Sequence, residues 1–441
     1  MTPLSLDQPW GRGFNAKHDH RYVEIEALPN TTFLPRGLGR SYGDVCVNDG
    51  ASLLHTFRRD RLISFDITSG IIECEAGASL ADIAQVALQQ GWFLPVTPGT
   101  RFVTLGGAIA NDVHGKNHHS AGTFGRFVRS MTLRRTDGTH ALQLNDALFK
   151  ATVGGLGLTG LIDSAKLQLT RVPGPGIAQS SMLFGRNDPF SSIDQYLAME
   201  SASSDWTYTV GWIDTMHHNL RGVLFRGKHC EGPPDWCAPI PAKLAMPLDA
   251  PKWLLGNWSA KLFNAAYFRS QALKTATQST LPLWPFFYPL DAVTAWNRAY
   301  GQRGFVQYQF VVPKANARDS IVHILKHLRE SRVASYLAVI KSFGDIASPG
   351  LMSFPMPGVT VTLDIAGPGD RERRALDRAD AMLADVGGRV YPAKDARMSS
   401  VMFQKFFPQW RELEAMRDPM ISSSFWRRVT EQNSPPNREH A

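Results

Sequence analysis

Short runs rich in β-branched and aromatic residues predict strands over 22–27, 62–66 and 71–75, the last directly after the turn signal Ser69-Gly70. The rhythm then becomes helical. Leu80, Ile83, Ala84 and Ala87 fall on one face, Ser79 stands at the N-cap with Asp82 three residues on, and Gly91 ends the run. Residues 128–135 and 140–144, on either side of Asp137-Gly138, predict a hairpin, and 158–169 predict another strand. The cluster Val172-Pro-Gly-Pro-Gly176 marks a boundary. Beyond it, strands are expected over 206–213, 222–226, 305–312, 333–340 and 359–365, with an amphipathic helix over 319–328. A last helix is expected to be capped by Asp370, to bury Leu376, Ala379, Leu383 and Val386, and to stop at Gly387-Gly388. The polar, proline-containing stretch from Asn433 reads as disordered. No internal repeat is visible.

Composition narrows this picture without deciding it. The chain has 441 residues, 43% hydrophobic and 20% charged, which suits a folded protein of two packed lobes. A net charge of +8 favours anionic partners, but no block of Lys or Arg suggests a nucleic-acid arm. Cys46, Cys74, Cys230 and Cys237 lack zinc-type spacing, and so few cysteines in a long chain point to a reducing compartment. Neither a signal peptide nor an apolar run long enough to span a bilayer is recognisable. The expectation is a cytoplasmic protein, soluble or peripheral to the inner face of the plasma membrane. The aromatic string Trp284-Pro-Phe-Phe-Tyr-Pro-Leu290 and the region of Trp253, Leu254 and Trp258 read first as core and inter-lobe packing. A surface that meets lipid is the other reading of both.

Three segments carry chemistry. In Pro35-Arg36-Gly37-Leu38-Gly39-Arg40-Ser41-Tyr42-Gly43-Asp44, three glycines in seven residues allow successive backbone amides to face a phosphate, with two arginines adding charge. In residues 95–125, Gly99 and Gly106-Gly107 again expose amides, and Ala108 and Ala110 let a flat ligand lie close. His114, Lys116, His118 and His119 bring titratable groups beside it. His114 and His118 have the spacing of helical metal ligands, but Gly115 and Asn117 argue for a loop and no acidic third ligand fits, so no metal is expected. The third segment, Tyr391-Pro-Ala-Lys394-Asp395-Ala-Arg397, is either a surface ion network or a lysine poised beside a flavin or a substrate hydroxyl.

Two motifs are decoys. Gly155-Leu-Gly-Leu-Thr-Gly160 follows a helical stretch and leads into a strand, the reverse of a dinucleotide fingerprint. Gly39-Arg-Ser-Tyr-Gly43 fits a nucleophile elbow, but 33–36 is a poor strand to precede it, which leaves a serine hydrolase at Ser41 as a minority reading.

Together these segments resemble the vanillyl-alcohol-oxidase-type (PCMH-type) FAD-linked oxidoreductases. Within them they look like the oxidase components of decaprenylphosphoryl-ribose 2′-epimerases, which serve arabinan precursor synthesis. The resemblance is densest over 35–44, 98–125, 151–160, 296–310, 354–358 and 391–397, including His-Gly-Lys-Asn-His-His-Ser-Ala-Gly and Gln-Tyr-Gln-Phe. It implies an α+β protein: a two-lobed FAD-binding domain over 1–172 and 389–441, with an antiparallel-sheet substrate (cap) domain and flanking helices over 173–388. The FAD would lie on Pro35 to Val45, Gly99, Thr104, Leu105, Gly106, Gly107, Asn111, Asp112, Val113, His114, Ile162 and Tyr391. Covalent relatives carry a histidine where this chain has Arg40, which implies dissociable flavin.

The substrate implied is a lipid-phosphate-linked pentose, contacted by Lys116, Gln307, Gln309, Lys341 and Lys394. Its 2′-hydroxyl carbon would give a hydride to flavin N5, with Lys394 and Gln309 orienting it and Tyr42 or His114 as base. A separate NADH-dependent reductase would complete an epimerisation. An alditol- or aldonolactone-type oxidase using oxygen is the nearest alternative. The chain departs from the pattern at Thr360 and Thr362, where a mycobacterial member carries an asparagine and a reactive cysteine. It departs again at Phe287 and Tyr288, which replace a tyrosine and a histidine.

Overall fold

The computed structural model describes residues 6–23, 28–185, 188–242, 244–274 and 278–430. Residues 24–27 of the first expected strand and the tail from Asn433 lie outside the described residues; the strand itself is Asp19–Tyr22.

A five-stranded antiparallel sheet runs in the order Leu62–Asp66, Ile71–Glu75, Leu161–Gln168, Val128–Arg135, Gly138–Gln143. Period-two alternation sends Ile72, Cys74, Met131, Leu133, Ala165 and Leu167 to one buried face. The helix Leu80–Leu88 closes that face with Leu80, Ile83, Ala84 and Ala87. Its cap is as expected: Asp82 N–H donates to Ser79 Oγ at 3.2 Å. Beside this lies a parallel three-stranded sheet, Asp19–Tyr22, Ser52–His55, Phe33–Arg36. The run 33–36 is therefore a strand after all. It tolerates Pro35 because it sits on the sheet edge, where a missing N–H costs no ladder bond.

From Gly176 onward the chain builds one eight-stranded antiparallel sheet. Its order is Ser279–Pro282, Gly176–Phe184, Gly222–Cys230, Tyr208–Ile213, Leu337–Phe343, Gly358–Ala366, Phe305–Pro313, Arg389–Val390. One face carries Tyr308, Phe310, Val312, Ala338, Ile340, Val361, Leu363 and Ile365. It packs under the helices Pro189–Ser201, Ala317–Glu330 and Asp370–Asp385, each buried aliphatic contributing about 2 kcal/mol. The last of these helices is capped one residue earlier than expected. Gly369 is its N-cap, with its N–H on Glu372 Oε2 at 3.0 Å, and Asp370 is the first helical residue. The opposite face of the sheet carries Gln307, Gln309, Leu337, Val339, Lys341, Thr362 and Asp364, in an alternation that aligns polar groups for a site.

The chain returns after Arg389–Val390 to lock the first glycine loop. Arg428 makes a two-pronged contact with Asp44, at 2.7 and 2.8 Å, and reaches Asp395 at 2.9 Å. A Cβ at Gly43 would meet the Asp395 carbonyl oxygen at 1.5 Å, so only glycine fits there. Replacing Asp44 by alanine should therefore lower the unfolding free energy by about 3 kcal/mol, by stripping a half-buried guanidinium of its bidentate partner. Urea denaturation would show this as a lower midpoint at unchanged slope, and a loss below about 1 kcal/mol would mean that Asp395 alone holds Arg428.

Candidate functional site

A cavity of about 630 Å³ lies between the glycine loops and the polar face of the large sheet. Cross-strand register explains its sheet wall. Trp212, Val339, Thr362 and Gln309 form one row across four strands; Leu337, Asp364 and Gln307 form the next; Lys341 pairs with Thr360. Trp212 and Val339, 127 positions apart, meet because each occupies the same pleat of its strand.

The loop from Pro35 to Val45 forms one wall, all of it lining the cavity except Gly43 and Asp44. Among the described residues, the amides of Leu38, Gly39 and Arg40 have no hydrogen-bond partner. Unpaired donors at a cavity wall suit a phosphate-bearing ligand. The two arginines divide their work. The Arg36 guanidinium donates to the carbonyls of Leu6 at 2.7 Å, Gln8 at 2.8 Å and Cys46 at 3.3 Å, and lies beneath Gly39. It braces the loop, leaving charge toward a ligand to Arg40. The Arg40 guanidinium stacks on Trp10 at 4.2 Å, with its Nε buried and unpartnered.

The opposite wall comes from Gly99, Thr104, Gly106, Gly107, Asn111, Val113, His114, Ile162 and Tyr391. Asp291 pins the turn at Gly99 by accepting from Thr100 Oγ1 at 2.8 Å and Arg101 N–H at 2.9 Å. Tyr391 donates its hydroxyl to the Asn111 carbonyl at 2.8 Å and stacks on Phe354. Leu105 and Asp112 do not reach the cavity. Leu105 is core, and Asp112 accepts from Gly125 N–H at 2.8 Å and Ser353 Oγ at 2.5 Å, holding the segment from behind.

Lys116, Gln307, Gln309, Lys341 and Lys394 all line the same end of the cavity with Tyr42 and His114. Lys394 Nζ sits 3.7 Å from the centre of the Tyr42 ring, and Lys116 Nζ donates to the Phe287 carbonyl at 2.9 Å. Burial pushes Lys394 and Lys116 down to about 7 and Lys341 to about 8. Burial, then the Asp364 carboxylate, holds the Tyr42 hydroxyl far above its ordinary range. Burial and the Lys341 charge keep His114 neutral.

The His114 tautomer follows from a chain of donors. Thr360 Oγ1 donates to the Phe310 carbonyl at 2.8 Å, so it accepts from Gln309 Nε2 at 3.3 Å, and the second Gln309 proton goes to His114 Nε2 at 2.9 Å. The His114 lone pair is thus engaged and its proton stands on Nδ1. His114 and His118 share no helix; each packs on the ring of Phe343. Among the described residues, Asp7, His18 and His20 have metal-like spacing, but Asn48 N–H occupies His18 Nε2 at 2.9 Å, which places a proton on the Nδ1 facing Asp7.

Asp364, not singled out from the sequence, is the carboxylate of this site. It is fully buried, accepts from Gln307 Nε2 at 2.5 Å and Tyr300 OH at 2.9 Å, and is raised by burial to about 6. Trp10, Leu156, Gly157, Trp212 and Tyr267 also line the cavity without a sequence signal. Gly157 lies in the rejected Gly155–Gly160 string, which does run from the helix Ala147–Thr152 into the strand Leu161–Gln168. Thr362 lines the cavity, whereas Tyr288 turns into the core against Thr97 at 2.7 Å.

Residues 23–143 match the FAD binding domain family. The decaprenylphosphoryl-β-D-ribose oxidase of Mycolicibacterium smegmatis is 35% identical over 422 residues, covering 90% of this chain and 88% of that protein. This chain belongs to that family of FAD-dependent oxidoreductases. An uncharacterized Streptomyces coelicolor protein from the mprA 5′ region is 31% identical over 80% of this chain and 99% of its own length. A D-lactate dehydrogenase of Anaerostipes hadrus is 25% identical over 35% of this chain. The family's FAD fits the unpaired loop amides, the open space at Gly99 and Gly157, and the unpartnered Arg40 Nε and Asn111 Oδ1. Membership also removes the hydrolase reading. The Gly39–Gly43 turn runs into the three-residue turn Asp44–Cys46 rather than into the helix an elbow requires.

The three lysines generate a pH dependence. Each has a folded value below that of free lysine, 10.5, so between about pH 7 and 10 the unfolded chain binds more protons than the ligand-free fold. Apoprotein stability should then rise with pH across that window, by at most about 1.4 kcal/mol per pH unit for each lysine. Thermal unfolding at pH 7, 8 and 9 measures it, and Lys116→Met should flatten the slope. A flat wild-type profile would mean that the three lysines keep their protons.

Proposed function

We propose that this oxidase acts on the 2′-hydroxyl of a pentose carried on a polyprenyl phosphate, with dissociable FAD held by residues 1–172 and 389–441 and covered by 173–388. The observation that carries the reading is the cluster of Lys116, Lys341 and Lys394 with two glutamines in a cavity that is also lined by Trp212, Phe263, Phe286, Leu337 and Val339. Such a site suits a polyhydroxylated, anionic head on an apolar tail. The M. smegmatis relative bears the name of an oxidase for this type of substrate. FAD supplies at its N5 the acceptor for the hydride leaving the sugar carbon. The absence of a histidine at Arg40 supports non-covalent binding.

The chain's own residues divide the remaining work. Gln307, fixed by Asp364, and Gln309, fixed by Thr360, present amides to the sugar hydroxyls at set positions. Tyr42 keeps its proton and donates. His114 likewise presents Nδ1–H, because Gln309 holds its Nε2. Neither serves as the base in this arrangement. Lys394, near 7 and close to Asp364, takes the hydroxyl proton, a value suited to transfer near neutral pH. Lys116 and Lys341 hold the anionic part of the substrate. The ketone formed is then reduced by a separate NADH-dependent enzyme. The work takes place at the inner face of the plasma membrane, where a peripheral enzyme meets a lipid-borne sugar.

Purified protein should carry flavin absorbance that passes into the supernatant as FAD on denaturation, and a polyprenyl-phosphoribose should bleach the holoenzyme anaerobically. Bleaching by a free alditol with peroxide release, and none by the lipid-linked sugar, would replace this reading with a soluble-sugar oxidase. Lys394→Met should slow flavin reduction by about 10²–10⁴-fold while FAD remains bound. A change smaller than tenfold would remove Lys394 as the base.

A further inference from the structure

Among the described residues, eight of fifteen exposed large apolar side chains fall between residues 244 and 273, including Leu248, Trp253, Trp258, Leu262 and Leu273, each more than half exposed. The helix Asn257–Ala272 is inverted for a surface helix. Ala260 and Asn264 face inward, while Trp258 and Leu262, four apart, share the outward face. Phe263 and Tyr267, on a third face, line the cavity. The helix therefore joins the cavity wall directly to the exposed apolar surface. The charge pattern is as one-sided as the hydrophobic one. From Asp249 to Asp291 the chain has no acidic residue between, and it has four basic ones, Lys252, Lys261, Arg269 and Lys274. Two tryptophans and aliphatic residues interspersed with cations, in a stretch of sequence without acidic residues, are the composition of an element that lies in a bilayer interface, with its cations at anionic headgroups. Among the described residues, no helix is long and apolar enough to cross a membrane.

We propose that residues 244–274 form a docking surface for an anionic lipid bilayer and hold the cavity mouth at the headgroup level. A prenyl tail then remains in an apolar phase while the sugar reaches Lys394. The second step rests on the substrate reading above; the docking itself does not.

Flotation of the holoenzyme with phosphatidylglycerol–phosphatidylcholine vesicles tests it. Wild type should float with these vesicles, and less with phosphatidylcholine alone or at high salt. The triple variant Trp253→Ser, Trp258→Ser, Leu262→Ser, whose sites are exposed and outside the cavity lining, should lose about tenfold or more of its bound fraction at unchanged flavin content. Lys252→Glu with Lys261→Glu should lose binding to the anionic vesicles. Failure of wild type to float, equal flotation of the triple variant, or a concentration-dependent dimer abolished by the same substitutions would overturn the proposal. Flotation with no bleaching by the lipid-linked sugar would keep the docking and remove the substrate reading; bleaching without flotation would do the reverse.

Discussion

Three half-buried lysines gathered in one cavity, with Asp364 as the nearby carboxylate, are the constraint on which the rest of the site depends. Taking an ammonium out of water costs several kcal/mol unless a counter-charge or strong acceptors compensate. Here the compensation is deliberately incomplete. Lys116 has the Phe287 carbonyl, Lys394 has the face of Tyr42, and Asp364 is occupied by Gln307 and Tyr300. A site left short of negative charge binds an anion more strongly than a neutralised one. Keeping it assembled without that anion falls to the scaffold.

The scaffold meets this demand from two sides. Antiparallel register fixes Gln307, Gln309, Lys341, Thr362 and Asp364 on one pleated face, and the other face of the same strands is welded to three helices by a continuous apolar core. The glycine loop, which cannot hold itself, is clamped from below by Arg36 on three carbonyls and from the side by Asp44, Arg428 and Asp395. Charged residues in a cofactor loop are easily credited with ligand contact. In this loop Arg36 and Asp44 shape the backbone, and the backbone amides face the cavity.

What could be read from the sequence divides along the same line. Local signals were legible: the Ser79 cap, the hairpin at Asp137-Gly138, the alternating strands and the glycine-rich loops all depend on residues close together in the chain. The cluster Lys116, Gln307, Gln309, Lys341 and Lys394 was legible only through family resemblance, because those positions meet through strand register. Asp364, Trp212 and Val339 went unread for that reason, since nothing in one strand states which strand lies beside it. The run Phe33–Arg36 reads as a poor strand from its sequence, yet it forms one at a sheet edge, a position that accommodates its proline. The aromatic segments separated once tertiary contacts were known. Trp284 and Phe287 are core, whereas Trp253 and Trp258 are on the surface.

The hydrogen-bond chain from Thr360 through Gln309 to His114 shows how a substitution can change a site without touching its ligand. Thr360 has a single proton, and the Phe310 carbonyl takes it, so its oxygen can only accept. That fixes the Gln309 amide, which in turn fixes the His114 tautomer and points a donor, rather than a lone pair, away from Gln309. An asparagine at the same position would bring both a donor and an acceptor and would free Gln309 to turn over. His114 could then present its lone pair to the cavity. The division of labour proposed for His114 and Lys394 therefore depends on the threonine as much as on either titrating group.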